Sequence, residues 1–431
     1  MTGAVRQALV LGLALIAGPV AAEWRLSDAD WAALGQLDSG QVEVVDALKA
    51  RGAVSSLTFE RVEFKAQGAQ TWVVRDGRRE VLPPTGQVVL KGHDPRKPDE
   101  SLTLVIDAKG ELASGAVYGH GGLQPIRTYP TERGVLLRVY DPEDLLPDGV
   151  TLDFQCGNDS LRAIPGYEIP GALPEIESRA PMPKSGGLRV GVLAIDTDKE
   201  WLDRRFGDDL SAANDWLEQL MAVTNGIFER DLNLRMLLGD VILRVGSDPY
   251  TESGTADGEA LFEFGDFWEA NLSAVARTHA ALISGRSGSG NSASGIAWVN
   301  SYCRKFSWGG SYSVNRLFYN SGISVDLSAR IFAHELGHNL GSSHTHCYDP
   351  PVDQCYAAES GCYTGPTSCP PEGTGSLMSY CHIGGCGSNR LQLHPTVASR
   401  IQGRIQANFP SCITEFIDPN AGEIFSDRFE N

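Results

Sequence analysis

No stretch of this 431-residue chain after its N-terminus approaches the roughly 18 consecutive apolar residues that a membrane-spanning helix requires. Positive charge is also scarce. Lysine and arginine total 36 against 54 aspartates and glutamates, a formal balance of -18, and nucleic-acid binding needs a basic face that this balance argues against. There is no Walker-type G-x-x-x-x-G-K-[ST]. Gly285 to Gly290 is rich in glycine and serine but lacks that lysine, so it reads as a loop. A Gly-x-Ser-x-Gly elbow is missing too, which leaves a serine hydrolase without its nucleophile turn. Internal repeats and coiled-coil runs are absent.

What is present is concentrated between residues 334 and 344. His334-Glu335-Leu336-Gly337-His338-Asn339-Leu340-Gly341-Ser342-Ser343-His344 fits H-E-x-x-H-x-x-G-x-x-H. Residues four apart on a helix lie one above the other, so His334 and His338 can offer two imidazole nitrogens to one ion. Gly341 permits the sharp turn that ends the helix. That turn can bring His344 round as a third ligand, leaving a fourth tetrahedral position for water, with Glu335 beside it. A random chain of this composition would contain all five fixed residues on the order of 10⁻⁵ times. Chance is therefore a poor explanation.

The motif resembles that of the metzincin zinc endopeptidases. In Ser376-Leu377-Met378-Ser379-Tyr380, Met378 stands 34 positions after His344, about where metzincins place the methionine of the Met-turn beneath the metal. Gly295-Ile296-Ala297-Trp298-Val299-Asn300-Ser301-Tyr302-Cys303 resembles the substrate-binding edge strand of the reprolysin (adamalysin) branch. Val223 to Leu232 resembles the end of that branch's first long helix. Two positions depart from it. Thr345 follows the third histidine where reprolysins usually carry Asp, and Met378-Ser379-Tyr380 is closer to the Met-x-Tyr of astacins and serralysins. In those branches the tyrosine reaches the zinc or the transition state, which makes Tyr380 a second catalytic candidate beside Glu335. A packed loop aromatic is the plainer alternative.

The resemblance implies an α/β metzincin catalytic domain: a twisted, mainly parallel sheet with helices, plus an irregular, disulfide-rich lower subdomain. The patterning agrees from residue 186 to 414. Leu188 to Ile195, Leu234 to Val245 and Ala280 to Ser284 read as strands. Asp209 to Arg230, Glu259 to Ala276 and Leu393 to Asn408 read as helices. A further helix starts at Val325, with Asp326 or Ser328 as its cap. Residues 23–185 read as a β-rich prodomain with short strands at Phe59–Phe64, Thr71–Val74, Gln87–Leu90, Leu102–Ile106 and Val135–Tyr140. It ends in a proline-punctuated linker, Ile164 to Gly187, of a kind that is readily cut. Residues 1–22 read as a secretory signal, with Arg6, an apolar core Leu9 to Ala17 and Val20-Ala21-Ala22 before Glu23. The protein is thus expected to be secreted or periplasmic, with an acidic tail at 415–431.

Nine cysteines leave one over. Cys303, Cys347, Cys355, Cys362, Cys369, Cys381, Cys386 and Cys412 can form four disulfides in an exported domain. The resemblance to reprolysins pairs Cys303 with Cys412 and leaves the rest open, and a second structural metal within 347–386 is a rival arrangement. The remaining Cys156 precedes the linker. As a thiolate it can occupy the open position of a catalytic metal and exclude water. Cys156-Gly157 resembles the cysteine switch of matrixin and reprolysin propeptides, although Phe154-Gln155 stands where those carry a basic residue; a buried structural thiol is the alternative.

These readings predict a secreted zinc endopeptidase made as a zymogen. One catalytic Zn²⁺ is expected, with protein or peptide as substrate. No calcium site is expected, since Val190 stands about where reprolysins carry its acidic ligand. A non-catalytic secreted binding protein on the same scaffold, or a structural zinc protein with His346 or His382 as fourth ligand, are the alternatives.

Overall fold

A computed structural model describes residues 22–49, 54–163, 167, 187–254, 257–286, 288–306 and 309–417. The expected leader 1–22 except Ala22, nearly all of the linker and the tail from 418 lie outside the described residues.

Ten strands and one short helix come first: β1 (Ala22–Leu26), α1 (Asp28–Leu34), β2 (Val42–Lys49), β3 (Val54–Arg61), β4 (Thr71–Arg75), β5 (Arg78–Leu82), β6 (Val88–His93), β7 (Ser101–Ile106), β8 (Leu112–Gly119), β9 (Gly122–Thr131) and β10 (Gly134–Val139). Eight of them close into an antiparallel barrel, in the order β1-β10-β9-β8-β7-β6-β3-β2. Along β3, Ser55, Leu57 and Phe59 point inward while their neighbours face out, the two-residue period of a half-buried strand. Leu26, Leu57, Phe59, Leu90, Leu104, Ile126 and Leu137 pack the interior. Closure leaves this sheet no free edge. The β4–β5 hairpin stands outside the barrel path.

The second half builds β11 (Asp153–Cys156), β12 (Arg189–Thr197), α2 (Lys199–Phe206), α3 (Leu210–Leu232), β13 (Leu234–Val245), α4 (Gly258–Asn271), β14 (His279–Ser284) and β15 (Ser292–Ala297). The two-residue β16 (Lys305–Phe306) and β17 (Gly309–Gly310), then β18 (Tyr312–Arg316), α5 (Val325–Asn339), α6 (Pro395–Asn408) and β19 (Thr414–Glu415) complete it. Its sheet runs β11-β15-β18-β14-β12-β13-β4-β5, with β19 added to β12. Pairing is parallel except at β15–β18, β4–β5 and β12–β19. This mixed sheet with its helices and disulfides fits a metzincin-like fold. The hairpin from the first half therefore extends the second half's sheet, with Thr71–Arg75 lying beside Val241–Val245.

Helix α3 is buried around most of its circumference between Ala213 and Phe228, as a helix must be when elements pack on several sides of it. Asp209 caps its start by accepting from Ala212 N–H, and Asn233 ends it in the left-handed conformation. The α5 helix differs from expectation at its start. Ser324 is the N-cap and makes no side-chain cap hydrogen bond, while Asp326 and Ser328 lie inside the first turn. The predicted extension of α4 to Ala276 stops at Asn271. After α5 the chain is irregular and held by Cys303–Cys412, Cys347–Cys362, Cys355–Cys381 and Cys369–Cys386. With all eight of those sulfurs in disulfides, a second thiolate metal site in 347–386 has no ligands.

Candidate metal centre

His334 and His338 stand one turn apart on α5, and Gly341, at φ 112°, turns the chain so that His344 comes back to the same point. Nε2 of His338 lies 3.1 Å from Nε2 of His334 and 3.2 Å from Nε2 of His344. Each opposite nitrogen is tied. His334 Nδ1 donates to the Leu377 carbonyl (2.7 Å), His338 Nδ1 to the Ser342 carbonyl (2.7 Å), and His344 Nδ1 to Glu359 (2.7 Å). These bonds put the proton on Nδ1 and leave three Nε2 lone pairs converging, the orientation that histidine ligands need. Burial and the neighbouring rings push His334 well below its ordinary pKa, and burial with His344 draws His338 down to about 3. His334 and His338 are thus neutral.

A sulfur lies beside the three nitrogens. Cys156 is free and buried, with Sγ 3.5 Å from His338 Nε2 and 3.8 Å from Glu335 Oε2. A tetrahedral zinc with N at about 2.05 Å and S at about 2.3 Å would separate nitrogens by about 3.3–3.4 Å and sulfur from nitrogen by about 3.5–3.6 Å. The observed separations fit that ion. Of the three groupings of potential ligands among the described residues, this one (Cys156, His334, His338, His344) has no sulfur committed to a disulfide.

Cys156 arrives on β11, which pairs in parallel with β15, Asp153–Cys156 lying opposite Ser292–Gly295. The strand expected to be an exposed edge is therefore covered, and it ends at Ala297, with Trp298 and Val299 just beyond. The covering continues past β11: Gly157 N–H donates to the Gly295 carbonyl (2.7 Å), Ala297 N–H to Asn158 Oδ1 (3.1 Å) and Val299 N–H to the Tyr167 hydroxyl (3.1 Å). Phe154 stacks on His382 at 4.7 Å between ring centroids and meets His334 edge-on. His382 is thereby engaged away from the metal position, with Nε2 near the Phe154 carbonyl and Nδ1 accepting from Asn389. A Cβ on Gly295 would come 2.4 Å from Glu335 Cγ, so glycine there is what lets the edge strand run against the carboxylate.

Glu335 is fully buried, and burial raises its pKa well above the usual carboxylate value. Burial and the Glu335 carboxylate likewise push the Cys156 thiol up; a divalent cation would reverse both effects. The Tyr380 ring lies against His344, 4.0 Å between centroids, and its hydroxyl donates to the Cys156 carbonyl (3.0 Å). Met378 sits under the helix: a Cβ on Gly337 would meet its sulfur at 2.6 Å.

Glu359 went unrecognised in the sequence. Its Oε2 accepts from both His344 Nδ1 and His346 Nε2 (2.8 Å), and it is held below the usual carboxylate range because the two histidines overcome the opposing effect of burial. His346, a proposed fourth ligand, serves this carboxylate instead. The available signal was an acid inside the ring closed by Cys347–Cys362, just after the third histidine.

Residues 188–391 match the Reprolysin_5 family model, metallo-peptidase family M12. The crystal structure of metalloproteinase-II from Bacteroides fragilis is similar over 89% of this chain and 97% of that chain, at 11% identity and a TM-score of 0.38. The family match supports a metallopeptidase and implies zinc as the cofactor for the histidine cluster.

Proposed function

We propose that the protein is an exported zinc endopeptidase of the reprolysin-like kind, made as a zymogen in which Cys156 holds the site shut. His334, His338 and His344 would hold the metal. Bound there, zinc supplies Lewis-acid polarisation of the scissile carbonyl and lowers the pKa of water towards about 7. Glu335 takes the proton from the attacking water and delivers it to the leaving nitrogen. Tyr380, whose hydroxyl is held by the Cys156 carbonyl, becomes free to hydrogen-bond the developing oxyanion when β11 leaves. The strand Gly295 to Ala297, with Trp298, then receives substrate backbone by β-addition at the positions that Gln155 to Asn158 occupy. Met378 supports the α5 helix beneath the ligands.

The observation that carries this reading is the convergence of three Nε2 atoms, that of His338 lying 3.1 and 3.2 Å from those of His334 and His344, beside a buried carboxylate. The test is hydrolysis of casein by protein cut in the linker. Activity that a chelator abolishes and zinc restores supports the reading; activity indifferent to chelation contradicts it.

A further inference from the structure

The sequence divides the chain at the linker, but the hydrophobic core does not. One continuous cluster joins Phe64, Val73, Val89, Val105, Ala116, Tyr118 and Leu123 of the first half to Leu220, Val223, Ile227, Leu238, Leu243 and Phe332 of the second. The β4–β5 hairpin is an outer part of the metallopeptidase sheet. Before it, Leu238 N–H donates to the Phe64 carbonyl (2.6 Å) and Ala66 N–H to the Leu238 carbonyl (2.8 Å). Asp240 accepts from Gln70 N–H (2.9 Å) and from the Trp72 indole (3.3 Å).

Helix α3 is shaped for this contact. A Cβ on Gly226 would fall 2.0 Å from the Tyr118 ring, whose hydroxyl donates to the Val223 carbonyl. Either side of that wedge are two acids, Glu218 buried and Glu229 partly so. Glu218 receives Lys65 and the Thr85 hydroxyl, and Glu229 receives Lys91 together with its own half's Arg235. Shedding the first half would leave these carboxylates without their lysines, expose a sheet edge five residues long and open the core. By contrast, β11 pairs over only four residues.

We propose that residues 23–140 are a permanent, noncovalently held subunit of the mature enzyme, and that activation releases only the arm that begins near Asp153. A cut in the linker frees the far end of that arm, which can then peel from β15 while the barrel and hairpin stay docked. This rests on the latency reading for the arm, but the docking itself does not depend on catalysis.

The experiment replaces residues 172–179 of the full-length protein with a site for a highly specific protease, cuts it, and measures size-exclusion elution, native mass and casein hydrolysis. The expected result is one peak at the mass of the uncut chain, holding both fragments one to one, and active with zinc. Folded fragment from 187 onward eluting alone, with the barrel in a separate peak, overturns the proposal. If that lone fragment hydrolyses casein, the protease reading survives the loss. One-to-one co-elution without hydrolysis supports the retained subunit and counts against the protease reading.

Discussion

Cys156 Sγ lies 3.5 Å from His338 Nε2, and Cys156 is carried by a strand that pairs with the very edge where substrate would lie. On the proposed latency, one segment would fill both the metal's open corner and the backbone track beside it.

That double blockade predicts the behaviour of Cys156→Ala. Sulfur leaves the corner, but β11 still covers Ser292–Gly295. The uncut variant should hydrolyse a short peptide without the lag of the wild type, at a rate below that of linker-cut protein. An unchanged lag would return Cys156 to a structural role.

Glu359 should set zinc affinity. Removing a carboxylate that orients a ligating histidine typically costs about 10–100-fold in affinity. Glu359→Ala is expected to lower zinc affinity by that amount in chelator competition, with Glu359→Gln in between because its amide oxygen can still accept from His344 Nδ1. Equal affinities in all three proteins would show that His344 is oriented without it.

Stability should depend on pH through a histidine remote from the metal. His279, fully buried in the middle of the sheet, bonds the Ser311 and Ser313 hydroxyls and is pushed down to about 3 by burial, then by Arg277. In the unfolded chain it titrates near 6.5. Its contribution is therefore full above about pH 6.5 and is lost as pH falls towards 3, because the unfolded chain takes up a proton that the fold refuses. The expected slope from this one group approaches about 1.4 kcal/mol per pH unit. Urea midpoints from pH 7 to 4 should fall more steeply for the wild type than for His279→Gln. Parallel curves would contradict the assignment.

The sequence displayed its local order well. Asp209 to Arg230 repeats apolar residues at the helical period, and α3 spans Leu210–Leu232; the strand expected over Leu234–Val245 has those bounds. The three histidines are legible because their spacing is itself the geometry. Long-range partnership is not. Thr71–Val74 reads as a strand, but nothing local says that it pairs with a strand some 170 positions away rather than with the barrel, since register follows from burial that only the folded chain provides. Glu359 escaped notice for the same reason: a disulfide ring, not a helical repeat, delivers it to His344.

Proton transfer by Glu335 at a zinc held by His334, His338 and His344 is the step on which the proposed activity depends. Its most direct test is to measure zinc content and casein turnover of linker-cut wild type beside linker-cut Glu335→Ala. One zinc per chain is expected in both, with turnover reduced by about 10²–10⁴-fold or more in the variant. Full turnover by the variant at equal zinc content would contradict it.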